Sequence, residues 1–157
     1  MSDPAPEPLR VRRAWQEDRA RVNELFAAAG MGALGGSHPL ANILVAERAG
    51  RLVGAVALEV EGLAGLVVGL AVEPGHENED EIREELLHGL LARASELSLR
   101  RLYAVADGLE ALFRSFGFEP AEADRLPSAL RRRAAGVLAA HPQEGTPAPV
   151  VVERTLV

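Results

Sequence analysis

The spacing of apolar and polar positions marks out most of the elements of this chain. Leu9 to Ala14 (LRVRRA) alternates apolar and basic residues, the pattern of a half-exposed strand. From Gln16 the period changes. Val22, Leu25, Phe26 and Ala29 fall on one helical face and Glu17, Asp18, Arg19 and Arg21 fall elsewhere, with Gly30 placed to end the helix in the left-handed conformation. Gly32, Gly35, Gly36 and Pro39 form a connection. Asn42 to Glu47 and Leu52 to Val60 then read as a hairpin around Gly50, and a turn at Glu61-Gly62 leads into Gly65 to Val72. These three strands predict an antiparallel meander. The third is apolar throughout, as a central strand covered on both faces should be.

The second half changes character. Ile82, Leu86, Leu90, Ala94 and Leu97 recur at steps of three and four, predicting a helix over Glu79 to Leu97. Leu102 to Ala106 is a short buried strand, parallel to its predecessor if the helix is a right-handed crossover. Leu109 to Phe116 predicts a short helix, and Gly117-Phe118 opens a short strand or turn. Pro127 to Ala140 reads as a helix with proline in its first turn. His141 to Pro149 is a loop with prolines, and Val150 to Leu156 alternates as an edge strand. The expected fold class is α/β, a central mixed sheet flanked by helices.

Composition narrows the function classes. The 157 residues suit one domain over 9–157, preceded by a loose, proline-rich tail over 1–8. There is no cysteine, which excludes disulfides, thiolate metal sites and cysteine nucleophiles. All 17 basic residues are arginine, which excludes a catalytic lysine amine. The net charge of −6 disfavours nucleic acid as a partner. No apolar run reaches membrane-spanning length and no signal-peptide pattern opens the chain, so a cytoplasmic location with no membrane partner is expected. The histidines lack metal-ligand spacing, and neither a Ser-His-Asp signature nor a Walker sequence is present.

The order β-α-β-β-β-α-β-α-β, with Leu70-Ala71-Val72-Glu73-Pro74 at a strand end and Leu112-Phe113-Arg114-Ser115-Phe116-Gly117-Phe118 further on, resembles the GNAT N-acetyltransferase family. The tail Gly117-Phe118-Glu119-Pro120, followed by Leu126 to Arg131, is similar to amino-acid N-acetyltransferases of the N-acetylglutamate synthase type. The resemblance implies a GNAT-like acyl-CoA N-acyltransferase fold and acetyl transfer from acetyl-CoA to a small amine or amino acid. It places the pantetheine arm along Leu70, Ala71 and Val72, and Ile82 and Arg83 in the turn that meets the pyrophosphate. Glu73 is a candidate general base, His76 a candidate proton relay, and Tyr103 a further catalytic candidate. Arg131, in an Arg131-Arg132-Arg133 cluster, is a candidate clamp for a substrate carboxylate. A homodimer is expected by analogy.

One segment departs from the family pattern. Where the family loop reads roughly R/Q-x-x-G-x-G/A, this chain has Glu79, Glu81 and Arg83 at the glycine or alanine positions, and Glu77 or Asn78 in place of the basic residue. Phe113 stands where many members carry a tyrosine. Asn78 and Glu81 predict an N-cap with a capping box, and Glu79, Asp80 and Glu81 place carboxylates at the positive end of the helix. A second reading follows: a GNAT-fold protein that has lost CoA binding and serves as a non-catalytic ligand-binding, regulatory or oligomerisation module.

Overall fold

The computed structural model describes residues 8–75, 78–106, 108–139 and 150–156. The chain runs β1 (Arg10–Arg13), α1 (Arg19–Ala28), β2 (Ile43–Arg48), β3 (Arg51–Glu61), β4 (Ala64–Val72), α2 (Glu79–Glu96), β5 (Arg101–Ala106), α3 (Glu110–Ser115), β6 (Glu119–Pro120), α4 (Ser128–Ala139) and β7 (Val150–Thr155). Single 3-10 turns occupy Gln16–Asp18, Leu40–Asn42 and Ala123–Arg125. The strands form one sheet in the order β1-β2-β3-β4-β5-β7-β6. Every neighbouring pair is antiparallel except β4–β5, which is parallel because α2 carries the chain back across the sheet. The meander and the mixed sheet therefore stand as the sequence predicts.

Two apolar layers sandwich the sheet. Ile82, Leu86, Leu87, Leu90 and Ala94 of α2 cover one face, with Phe113 of α3 meeting Phe118 edge-on at 5.1 Å. Val22, Leu25 and Phe26 of α1, and Leu130 and Ala134 of α4, cover the other. Two glycines let the helices approach. A Cβ on Gly54 would lie 2.8 Å from Ile82 Cγ2, and one on Gly69 would lie 2.8 Å from the Phe26 ring. Only a residue without a side chain permits backbone and ring to sit this close.

Some expectations need correction. β7 is not an edge strand: it lies between β5 and β6, although β6 covers only Val152 and Glu153 of it. Ala29 is exposed rather than part of the apolar face of α1. Asp18, which falls off the apolar face of the predicted helix, is nevertheless buried, because Arg12 on β1 pairs with it at 2.8 Å. The predicted loop over 141–149 and the tail over 1–7 lie outside the described residues.

Candidate functional site

β4 and β5 begin as partners and then part. Their pairing runs from Ala64 with Arg101 to Val67 with Ala104, but β4 continues to Val72 and β5 to Ala106. Each strand stays with its other neighbour. β4 remains paired with β3 up to Val72 opposite Gly54, and β5 remains paired with β7 up to Ala106 opposite Val150. The sheet thus forks, with β1–β4 on one side and β5, β7 and β6 on the other. A bulge marks the fork point. Ala57 opposes Gly69 and Leu58 opposes Val67, so Val68 is an extra residue in β4. An extra residue bends its strand and raises local twist, which turns the rest of β4 away from β5.

The result is a backbone edge over 68–72 that no strand covers among the described residues. Leu70, Ala71 and Val72 all lie on it with their side chains buried in the two cores. What they offer a ligand is therefore main-chain N–H and C=O. Five residues of strand span about 16 Å, enough for an extended chain to lie alongside.

Charged groups gather where β4 ends. Glu73 donates its N–H to Val53 O at 2.8 Å, and its Oε1 accepts from Arg21 of α1 at 3.2 Å and from Arg51 of β3. Beyond it, α2 starts with Ile82 N bonded to Asn78 O at 3.1 Å. The predicted cap does not form, since the Asn78 side chain makes no capping bond. The acidic side chains turn outward. Asp80, 92% exposed, meets Arg83 at 3.2 Å, and Glu81 lies 3.7 Å from Arg48. The N–H groups of the first turn, which no helix satisfies internally, are left without the side-chain acceptor foreseen for them. Ile82 itself is fully buried against Gly54, so only its backbone faces this turn. His76 and Glu77 lie outside the described residues.

On the α1/α4 face, one row crosses the sheet. Glu59 of β3 is opposite Leu66, Leu66 opposite Tyr103, and Tyr103 opposite Glu153 of β7. Directly opposed residues share a face, and here they grip the segment ahead of and along α4. Arg133 pairs with Glu59 at 3.2 Å, Arg125 pairs with Glu153 at 3.0 Å, and Ala129 N donates to Glu61 Oε2 at 3.2 Å. Tyr103 is 2% exposed and donates its hydroxyl to Arg125 O at 3.3 Å. Arg131 donates to Asp124 O at 2.8 Å and Leu126 O at 3.1 Å, closing the turn before α4. The structure therefore places Leu70, Ala71 and Val72 together on the fork and Glu73 and Arg83 near its mouth. Tyr103 and Arg131 sit beneath and within the α4 segment.

Two groups went unmarked in the sequence. His38, on the α1–β2 connection, has Nε2 3.0 Å from Leu58 O. A carbonyl only accepts, so Nε2 carries the proton. Burial is the largest influence and holds the ring below the usual histidine range. The second group is Arg12, which bridges Asp18 at 2.8 Å and Glu47 at 3.1 Å and stacks 3.7 Å from the Trp15 ring. Arg12, Trp15 and Asp18 line an open cavity of about 860 Å³ together with Leu40, Glu47 and Leu52. Alternation in LRVRRA gave the strand, but nothing in the sequence pairs residue 12 with 18 and 47.

No family model and no curated protein sequence matches the chain. Solved structures do. N-acetylglutamate synthase from Neisseria gonorrhoeae, complexed with coenzyme A and N-acetyl-glutamate, has TM-score 0.77 at 22% identity over 95% of this chain. The match covers 35% of that enzyme, so this chain spans about a third of its length. A GNAT-family acetyltransferase from Staphylococcus aureus Mu50 has TM-score 0.71 at 13% identity, covering 96% of this chain and 100% of that one. Diaminobutyrate acetyltransferase from Paenibacillus lautus, in complex with its substrate L-2,4-diaminobutyric acid and coenzyme A, has TM-score 0.61 at 16% identity, covering 96% and 97%. The chain has the fold of the GNAT acyl-CoA N-acyltransferases.

Proposed function

We propose that the chain binds acetyl-CoA in the β4–β5 fork and transfers its acetyl group to a small amine or amino acid. The observation that carries this is the fork itself: five residues of β4 keep an open backbone edge beside a strand that has turned away. Such an edge is costly to leave bare in a folded domain, and an extended ligand arm satisfies it as an added strand would. The first turn of α2, uncapped by Asn78, offers N–H groups to phosphate oxygens. These residues fit the group. Acetyl-CoA supplies a thioester carbonyl open to attack by an amine; the chain's part is to hold it, exclude water and take up a proton. The amino-acid complexes of the gonococcal and Paenibacillus enzymes support an amino acid as acceptor.

Within this reading, Leu70, Ala71 and Val72 act through their main chain, and Ile82 and Arg83 through theirs. Glu73, gripped by Arg21 and Arg51, anchors α1 and β3 to the end of β4. Arg131 holds the turn ahead of α4. One observation favours the alternative, a GNAT fold without CoA binding: three carboxylates occupy the first turn of α2.

Titration calorimetry with acetyl-CoA separates the two. A micromolar dissociation constant, with thiol release when amino acids are added, is the expected result. The absence of both heat and thermal shift at millimolar acetyl-CoA would exclude the acetyltransferase reading.

A further inference from the structure

The cavity beside Arg12 and Trp15 lies apart from the β4–β5 fork. Its walls come from β1, β2, β3 and the 3-10 turns that precede α1 and β2, so β4 separates it from the fork. Its volume of about 860 Å³ falls within the range of about 300–1,000 Å³ typical of small-molecule sites.

A count of donors and acceptors says what could enter. Arg12 is the one cation on these walls among the described residues, and it has no N–H to spare. Its Nε donates to Glu47 Oε2 at 3.2 Å, and its Nη1 donates to Arg13 O at 3.1 Å and Asp18 Oδ2 at 2.8 Å. Its Nη2 donates to Asp18 Oδ1 at 3.4 Å and Glu47 Oε2 at 3.1 Å. These bonds use every N–H of the guanidinium, so an anion entering the cavity finds no donor there. Acceptors remain. Glu47 Oε1 and the exposed Glu17 carboxylate have no partner among the described residues, and no ion pair joins Glu47 to Arg10, its neighbour across β1 and β2. Glu17, Asp18 and Glu47 set three carboxylates against one guanidinium, which leaves the walls negative.

Trp15 supplies an aromatic surface. The Arg12 guanidinium lies 3.7 Å from the ring centroid, yet Trp15 stays 59% exposed, which leaves π surface for a second cation. A flat guanidinium stacks on indole better than a compact ammonium does, as Arg12 itself illustrates. Leu40 and Leu52 give the walls an apolar patch for an alkyl stem.

We propose that this cavity binds a small alkylguanidinium ligand, its head on Glu47 Oε1 and the Trp15 ring within the field of Glu17, and its stem against Leu40 and Leu52. The chain has a single tryptophan, so its one indole N–H signal in a proton–nitrogen correlation spectrum reports on the cavity directly. The whole chain is titrated with n-butylguanidinium, and with butyrate and n-butanol as anionic and neutral counterparts. The expected result is a saturable shift of the Trp15 indole signal with n-butylguanidinium alone. Saturating coenzyme A leaves the dissociation constant unchanged, because the fork is elsewhere. Glu47→Gln weakens binding about tenfold or more, and Glu17→Gln weakens it about threefold at low salt. Glu17 stands outside the Arg12 ion cluster, so E17Q keeps the test decisive if E47Q does not fold. The proposal is overturned by the absence of a saturable shift up to about 50 mM n-butylguanidinium, or by n-butanol or butyrate shifting the signal equally. Competition by coenzyme A overturns it too, as does unchanged affinity in the folded variants. None of these outcomes depends on acetyl transfer, so the two readings fail separately.

Discussion

Asp18→Asn should destabilise the fold by about 2 kcal/mol, and the loss should depend on pH in a defined direction. Asp18 accepts from Arg12 Nη1 at 2.8 Å and from Trp15 N at 2.7 Å, and the side chains of Asp18 and Arg12 are only 11% and 17% exposed. Breaking a buried ion pair costs about 3–5 kcal/mol when the surviving charge is left alone. Arg12 is not left alone, because Glu47 Oε2 still takes its Nε and Nη2 at 3.2 and 3.1 Å. Asparagine also retains an oxygen for Trp15 N. The loss is thus nearer one charge-assisted hydrogen bond, about 1.5–3 kcal/mol. In a chain of 157 residues this lowers Tm by about 4–8 °C. Burial is the largest influence on the Asp18 carboxyl and pushes it up, but the bonds from Arg12 and Trp15 N and the Arg12 charge together hold it below the usual range. A depressed folded pKa adds stability above the unfolded value of about 3.9, and that stability is lost as pH falls through the folded pKa. The gap between wild type and D18N should therefore be constant from about pH 5 to 8 and narrow as the medium becomes more acidic. Urea denaturation followed by circular dichroism across pH measures this. A D18N protein within about 0.5 kcal/mol of wild type at pH 7, or a gap unchanged after acidification, would refute the reasoning.

Other perturbations probe the fork and its mouth. Gly69→Ala forces a Cβ against the fully buried Phe26 ring and should cost about 1–3 kcal/mol by overpacking, visible as a lower urea midpoint. Tyr103→Phe removes the bond to Arg125 O and should cost about 1 kcal/mol while leaving kcat near wild type; a hundredfold loss of kcat at unchanged stability would make the hydroxyl catalytic. The double variant Glu79→Gln, Glu81→Gln removes two charges that repel a pyrophosphate by about 0.7 kcal/mol each at about 6 Å. It should tighten acetyl-CoA binding about tenfold at low salt, with the gain shrinking at 0.5 M salt, and calorimetry showing no change would remove electrostatics from the account.

Much of the fold was legible because its signals are local. Gly50 and Gly62 sit at positive φ in the two meander turns, and the three-and-four spacing over α2 matches its buried stripe. The misjudged elements depend on partners distant in sequence. β7 looks like an edge strand because half its residues are polar, yet Glu153 is drawn in by Arg125 and Arg101. Asp18 falls off the apolar face of the predicted helix, yet it is buried because Arg12 pairs with it. The fork had a partial signature, since the L-A-V-E-P segment located its open edge, but the bulge at Val68 arises from pairing register and cannot be read from a uniformly apolar run. His38 was passed over because a histidine in a glycine-rich loop has no periodic pattern; only the overhang of β3 gives it a carbonyl to hold.

The two halves of the β4–α2 unit pull in opposite directions, and magnitudes decide between them. Judged by side chains alone, the first turn of α2 repels an anion. Its repulsion comes from exposed carboxylates in a water-like dielectric, about 0.7 kcal/mol per charge pair at about 6 Å, and Asp80 and Glu81 are already turned toward Arg83 and Arg48. The attraction comes from backbone N–H groups that Asn78 leaves uncapped, where each charge-assisted hydrogen bond to an anion contributes about 1.5–3 kcal/mol. Two such bonds outweigh three screened repulsions. On the proposed reading, the acidic turn therefore weakens phosphate binding by roughly ten- to a hundredfold without abolishing it. The open edge over 68–72 is untouched by those charges, so affinity shifts from the phosphate end of the ligand to the arm that lies along β4. On the proposed reading, the strand half of the unit, not its helix half, is the principal holder of acetyl-CoA.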